Sequence, residues 1–182
     1  FSDEFRQKRE LVNFWHKFYR KTNTTEIDLR REASLLSFRE RLRFESGVFY
    51  DKMKVRNSNS VHELLEDEER LFWTETNQSE FNSLLEGARP DAILSITPFV
   101  NKEEPLLRVA QKRGVTRYTS IISFDNITTR TRLPVSFDHY LVWNKYNRDE
   151  LIRSYPGISS QMVTITGAPQ FDFYYDGSYI TE

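Results

Sequence analysis

All six prolines of this 182-residue chain lie in its second half: Pro90, Pro98, Pro105, Pro134, Pro156 and Pro169. The first 89 residues hold none, and only two glycines, Gly47 and Gly87. Proline costs a helix interior about 3 kcal/mol and glycine about 1 kcal/mol relative to alanine. A stretch this poor in both predicts a helical segment over residues 1–88. From Pro90 on, short apolar runs rich in β-branched residues alternate with helical patterns, the signature of an α/β unit over residues 89–176. The chain therefore reads as mixed α/β, a Rossmann-like parallel sheet preceded by helices, with residues 177–182 beginning an interdomain linker.

Within the first half, Phe5, Leu11, Val12, Trp15, Phe18 and Tyr19 recur at helical spacing and predict an amphipathic helix over residues 3–21. Asn23-Thr24-Thr25 is expected to break it. A second helix is expected over 28–45, with Gly47 ending or bending it. A third follows from Val61 to about Trp73, with Ser60 as its cap, and a short one over 79–86 ends at Gly87. Charge is uneven: residues 1–56 hold 14 basic and 9 acidic side chains, residues 57–90 hold 2 and 8. Two readings of that imbalance stay open. One is helix faces that attract each other; the other is a basic surface for an anionic membrane or acceptor.

The second half predicts strands at 92–96, 115–123, 138–143 and 161–166, and helices at 102–113 and 145–154. Asn101 with Glu104 resembles a capping pair, Pro105 suits a first turn, and Gly114 ends the first of these helices. The resulting β-α-β-loop-β-α-β order implies a parallel sheet.

Composition removes several function classes. Fourteen Phe, nine Tyr and three Trp supply core material that a disordered chain lacks. A formal charge of -1 argues against a general nucleic-acid binder, and no nucleic-acid partner is expected. The absence of cysteine removes disulfides, thiolate nucleophiles and cysteine-based zinc sites, and fits a reducing compartment. No apolar run approaches the roughly 20 residues that cross a bilayer. His16, His62 and His139 are scattered, and no two stand at metal-binding helical spacing, so no metal is expected. No P-loop, Gly-x-Ser-x-Gly elbow or Gly-x-Gly-x-x-Gly is present, so no self-contained nucleotide site and no cofactor are expected. The chain opens on Phe1 without a leader and stops after a turn-rich stretch, which reads as part of a longer protein.

In open parallel sheets, ligands bind at the carboxyl ends of the strands. Those ends carry Thr97 after the first strand and Ser123, Asp125, Asn126, Thr128, Arg130 and Arg132 after the second. Asn144 follows the third strand, and Gly167, Pro169, Gln170 and Asp172 follow the fourth. Asp125 has the chemistry of a general base or of a sugar-hydroxyl acceptor, and the arginines could neutralise a phosphate. The same residue types also build turns and caps, and that reading stays open.

Three stretches resemble a known family. They are Ser123-Phe124-Asp125-Asn126-Ile127-Thr128-Thr129, Leu141-Val142-Trp143-Asn144, and Val163-Thr164-Ile165-Thr166-Gly167-Ala168-Pro169-Gln170-Phe171-Asp172. Together they resemble the N-terminal domain of GT-B glycosyltransferases, particularly the CDP-glycerol glycerophosphotransferase-like and bacterial surface-carbohydrate members. The resemblance covers roughly residues 89–176. It implies transfer of a glycosyl or polyol-phosphate group from a nucleotide-activated sugar or polyol donor to a carbohydrate or lipid-linked acceptor, in surface-polysaccharide or cell-envelope synthesis. It further implies that a C-terminal domain outside this chain holds the donor nucleotide, that this stretch alone does not turn over, and that work proceeds in the cytoplasm or at the inner face of the membrane. On that reading Asp125 is the acceptor-side catalytic residue. Thr97, Ser123, Asn126, Thr128, Arg130 and Asn144 shape the acceptor crevice, and Gly167, Pro169, Gln170 and Asp172 shape the hinge side. The chain departs from the family in opening on a helix, where the family opens on a strand and a glycine-containing loop. Two other classes remain: a sugar-nucleotide epimerase of the same fold, and a non-catalytic binding or scaffold module.

Overall fold

The computed structural model describes residues 1–20, 22–56 and 58–176. The chain divides into two compact units, Phe1–Gln78 and Ser79–Glu182. Residues 177–182, expected to begin a linker, lie outside the described residues.

The first unit is helical: α1 spans Asp3–Arg20, α2 Thr22–Ser34, α3 Phe38–Lys54 and α4 Ser58–Glu75. Helices α1 and α4 pair along a short aromatic core, in which Phe5 and Phe72 are buried with ring centroids 6.3 Å apart. Phe1 stacks on Phe5 at 4.3 Å. Beside this core the Arg9 guanidinium meets Glu68 at 2.7 Å, both side chains out of solvent, and Lys8 meets Asp67 at 2.5 Å.

The expected helix over 28–45 is two helices. The chain breaks at residues 35–37, where the Ser37 N–H and hydroxyl donate to the Glu40 carboxylate at 3.0 and 2.5 Å. Those bonds hold the Glu40 carboxyl below the ordinary carboxylate range. They satisfy donors that a continuous helix would not leave open, so a new helix starts there. Asn23-Thr24-Thr25 lies inside α2 instead of interrupting the helices, and the Thr25 hydroxyl donates to the Lys17 carbonyl at 2.7 Å. Gly47 sits within α3. The Ser60 side chain, expected as a cap, lies outside the described residues. Helix α5, Gln78–Ala88, runs through Gly87. It is Arg89, at φ 44°, that takes the left-handed turn after it, with its N–H on the Leu85 carbonyl at 2.8 Å.

The second unit is a four-stranded sheet in the order β1-β2-β3-β4, every pair parallel. The strands are β1 Ala92–Ser95, β2 Thr116–Ser120, β3 His139–Val142 and β4 Val163–Ile165. Between them run α6 Glu104–Lys112, α7 Asn126–Thr129 and α8 Lys145–Ser154, and α9 Phe173–Asp176 follows β4. Thr119, Tyr140 and Val163 stand in register on the buried face, with Leu107, Ile127 and Leu151 in the same core or bordering it. On the opposite face Tyr118 and His139 are in register, with rings stacked at 4.6 Å. The expected capping pair of Asn101 and Glu104 is not the one formed. Glu104 is wholly buried and accepts from Arg108 Nε at 2.9 Å.

The connection from α7 to β3 has no regular structure, yet Leu133, Pro134, Val135 and Phe137 are buried. Its main chain is held from outside. Arg108 Nη2 donates to the Pro134 carbonyl at 3.1 Å and Arg117 Nη1 to the Ser136 carbonyl at 2.9 Å. The Tyr155 hydroxyl accepts the Leu133 N–H at 3.0 Å, and the Tyr140 hydroxyl accepts the Phe137 N–H at 2.8 Å.

Burial pushes both tyrosine hydroxyls above their ordinary range. The neutral forms are thus favoured on folding, and ionisation in the unfolded chain begins first. The stability they contribute is complete below the unfolded tyrosine pKa of about 10 and is lost as pH rises toward the higher folded values. Urea midpoints should therefore fall steeply above about pH 10. Tyr140→Phe and Tyr155→Phe should each cost about 1 kcal/mol at neutral pH and flatten the alkaline loss. A profile as steep in both variants as in the parent would remove these hydroxyls as its cause.

Candidate functional site

The carboxyl ends of the strands share one rim, stitched together by side chains. At the end of β1, the Ser95 hydroxyl donates to Glu103 at 2.5 Å, and beyond it the Thr97 hydroxyl donates to the other oxygen of the same carboxylate. After β2, the Ser123 hydroxyl donates to Asp125 Oδ1. The Thr128 and Thr129 hydroxyls donate to the Asp125 main-chain carbonyl at 3.0 and 2.9 Å. After β3, Asn144 Oδ1 accepts the Asn147 N–H at 3.0 Å and caps α8. Asn147 Nδ2 then reaches across to the Phe124 carbonyl at 2.8 Å. After β4, Gly167 turns the chain at φ 80°, a conformation that side-chain-bearing residues adopt at a cost of roughly 1–2 kcal/mol. The short turn Pro169–Phe171 follows, and Gln170 Nε2 donates to the Ile122 carbonyl at 3.2 Å. Asp125 and Gly167 thus belong to loops that lie on the same side of the sheet.

One cavity opens on this rim, with a volume of about 360 Å³, between the segments that follow β1 and β2. Thr97, Asn126 and Arg130 line it, as do Phe99, Ile122 and Thr129. Arg130 is the charged residue among those lining it. The wall mixes apolar residues with hydroxyl and amide groups and one cation, and its volume lies in the range of small-molecule sites. The remaining expected site residues are placed around it. Ser123, Asp125 and Thr128 build the turn that presents Asn126. Asn144 is spent on the helix cap, and Gln170 ties two loops together. Gly167, Pro169 and Asp172 form the turn after β4, where the Asp172 N–H bonds to the Pro169 carbonyl at 3.1 Å. Arg132 is half-buried and is not among the residues lining the cavity.

Sequence reading missed two parts of the rim. The first is Glu103, whose carboxylate anchors the segment after β1; its spacing of 8 from Ser95 and 6 from Thr97 follows no helical or strand period. The second is a ridge of rings: Phe124 to Trp143 at 6.2 Å and Trp143 to Phe171 at 5.9 Å. Phe124 and Phe171 are exposed. The signal was an aromatic residue directly following or near the end of each of three strands. The strand order runs without reversal, so within these four strands there is no switch point of the kind that marks nucleotide crevices in open sheets.

Among the described residues, no group of three or more His, Asp or Glu side chains could hold a metal ion, and no helix is long and apolar enough to cross a membrane. Compared with family models, curated proteins and solved structures, the chain has no match.

Proposed function

We propose that the second unit is the acceptor-side half of a transferase of GT-B type. It would help move a glycosyl or polyol-phosphate group from a nucleotide-activated donor to a carbohydrate or lipid-linked acceptor of the cell envelope. The single observation that carries this reading is the cavity at the carboxyl ends of β1 and β2, with Thr97, Asn126, Thr129 and Arg130 on its wall.

The chemistry follows from those groups. Hydroxyl and amide side chains match the hydroxyls of a sugar or polyol, and a guanidinium pairs with a phosphate by short charge-assisted bonds. An acceptor hydroxyl attacking the donor must lose its proton as its bond to carbon or phosphorus forms and the bond to the nucleotide breaks. Asp125, next to the cavity-lining Asn126 in sequence, is assigned as the carboxylate that takes that proton. Ser123 occupies its Oδ1, while its Oδ2 has only a 3.5 Å contact from Thr129. A carboxylate offers about four acceptor positions, so capacity remains. Donor binding and stabilisation of the leaving phosphate are assigned to a partner domain, in keeping with the lack of a phosphate-binding glycine loop.

Titrating the chain with glycerol 3-phosphate, followed by amide resonances of residues 96–100 and 122–131, tests this reading. Saturable shifts confined to those segments are expected, with cytidine and uridine diphosphates producing none. Arg130→Ala should weaken binding about tenfold, the value of one charge-assisted contact. In the enzyme that carries the donor domain, Asp125→Asn should stop transfer and leave acceptor binding in place. Absence of any shift at the cavity, or an Arg130→Ala titration that matches the parent, would remove the acceptor assignment.

A further inference from the structure

Helix α3 is 17 residues long and buries none of them. For a helix in a folded protein this is unusual, because helices gain most of their stability by packing an apolar face. Nor is α3 polar. Phe38 is 77% exposed, Leu42 53%, Phe49 65% and Met53 53%. Their spacing of four, seven and four residues places all four on one stripe along the helix. Leu35, 79% exposed, continues the stripe into the turn between α2 and α3.

The charges lie beside that stripe. Arg39, Arg43 and Lys54 share the neighbouring face by the same spacing, all of them exposed. Around the turn, residues 30–43 hold Arg30, Arg31, Arg39, Arg41 and Arg43 against Glu32 and Glu40, five positive charges to two negative, a local net of +3. All five arginines are exposed. The chain as a whole carries -1, so this patch is a local concentration. Two acidic neighbours are already engaged: Glu40 by the Ser37 N–H and hydroxyl, and Glu45 by Arg41 at 2.7 Å.

We infer that α3 and the turn before it form a docking face for an anionic lipid bilayer, with Leu35, Phe38, Leu42, Phe49 and Met53 entering the interface and the arginines meeting lipid phosphates. An amphipathic helix with large apolar residues on one side and Arg or Lys beside them lies in the membrane plane, its apolar side about 5–10 Å into the headgroup region. Anionic lipid adds attraction for each basic residue near the surface. Five arginines against two carboxylates, beside an exposed apolar ridge along α3, suit a surface that is uniformly negative. This docking is independent of the transferase reading, because it lies in the helical unit and needs no substrate.

Cosedimentation of the 182-residue chain with vesicles tests it. Vesicles of phosphatidylcholine with phosphatidylglycerol should carry the chain down; vesicles of phosphatidylcholine alone should not. Raising salt to about 0.5 M should release it, since screening then acts within a few ångströms. Arg39→Gln combined with Arg43→Gln should weaken binding about 25-fold, roughly fivefold per arginine. Phe38→Glu combined with Leu42→Glu should abolish it. All four positions are solvent-exposed, and circular dichroism checks that the helices persist. Failure to bind phosphatidylglycerol vesicles overturns the proposal, as does binding that the Phe38 and Leu42 changes leave intact. A concentration-dependent dimer that those same changes dissolve, without vesicle binding, would instead assign the ridge to a second copy of the chain.

Discussion

Glu104→Ala should destabilise the second unit by about 3–5 kcal/mol, the cost of removing one partner from a buried ion pair. Glu104 has no exposed surface, and the Arg108 side chain it holds at 2.9 Å is only 9% exposed. The loss spreads beyond the pair. The same guanidinium carries the Pro134 carbonyl at 3.1 Å, so a misplaced Arg108 also frees the segment that buries Leu133 and Val135. Glu104→Gln keeps an acceptor and should lose less. Replacing Glu104 and Arg108 together by Met and Leu should recover part of that loss, because an apolar pair avoids the desolvation cost, but not all of it, because the Pro134 carbonyl loses its donor. Urea unfolding followed through Trp143, with Trp15 and Trp73 replaced by Phe, reads this unit. A Glu104→Ala loss below about 1 kcal/mol would show that the pair does not anchor the unit.

Phe72→Ala should cost the helical unit about 3–5 kcal/mol, the range for deleting a fully buried aromatic side chain. Phe72 has no exposed surface and meets Phe1 at 5.7 Å, Phe5 at 6.3 Å and Trp73 at 5.1 Å. The core it closes is small, so little neighbouring apolar material is available to collapse into the space. Phe49→Ala is the contrasting case. That ring is 65% exposed, and its loss should change stability by less than about 0.5 kcal/mol. Thermal or urea unfolding followed by circular dichroism at the helix band separates the two. Equal effects would mean that α1 and α4 are not held by this aromatic core.

Those two phenylalanines mark one limit of reading the sequence. Both sit in helices with helical apolar spacing, and only the packing of α1 on α4 distinguishes a core ring from an exposed one. Much else was legible. Helix α8 runs over the predicted residues 145–154 because its signals are local: an Asn144 cap at one end and Tyr155-Pro156-Gly157 at the other. The four strands appear where β-branched runs placed them, shortened by one to four residues, and Gly114 takes the positive φ that ends the turn after α6. The break at residues 35–37 was also written locally, as Ser37 with Glu40 three residues on, but uninterrupted helical spacing around it masked the cap. The rim divides in the same way. Which residues follow each strand could be read directly. That Thr97 is held by Glu103, that Gln170 crosses to Ile122, and that Asn126 and Arg130 share one cavity with Thr97 depend on how loops fold over one another.

The connection between α7 and β3 shows what that long-range order accomplishes. Leu133, Pro134, Val135 and Phe137 are all buried, and Pro134 has no N–H to give a neighbouring strand. Its fixity is borrowed instead from Arg108, Arg117, Tyr140 and Tyr155, which clasp carbonyls and amides at four successive points. Trypsin would find Arg130 and Arg132 here, at bonds that composition alone marks as easy targets. A backbone gripped this way cannot straighten into a protease cleft without opening the core, so cutting there should keep pace with global unfolding and lag far behind nicking at a slack surface loop.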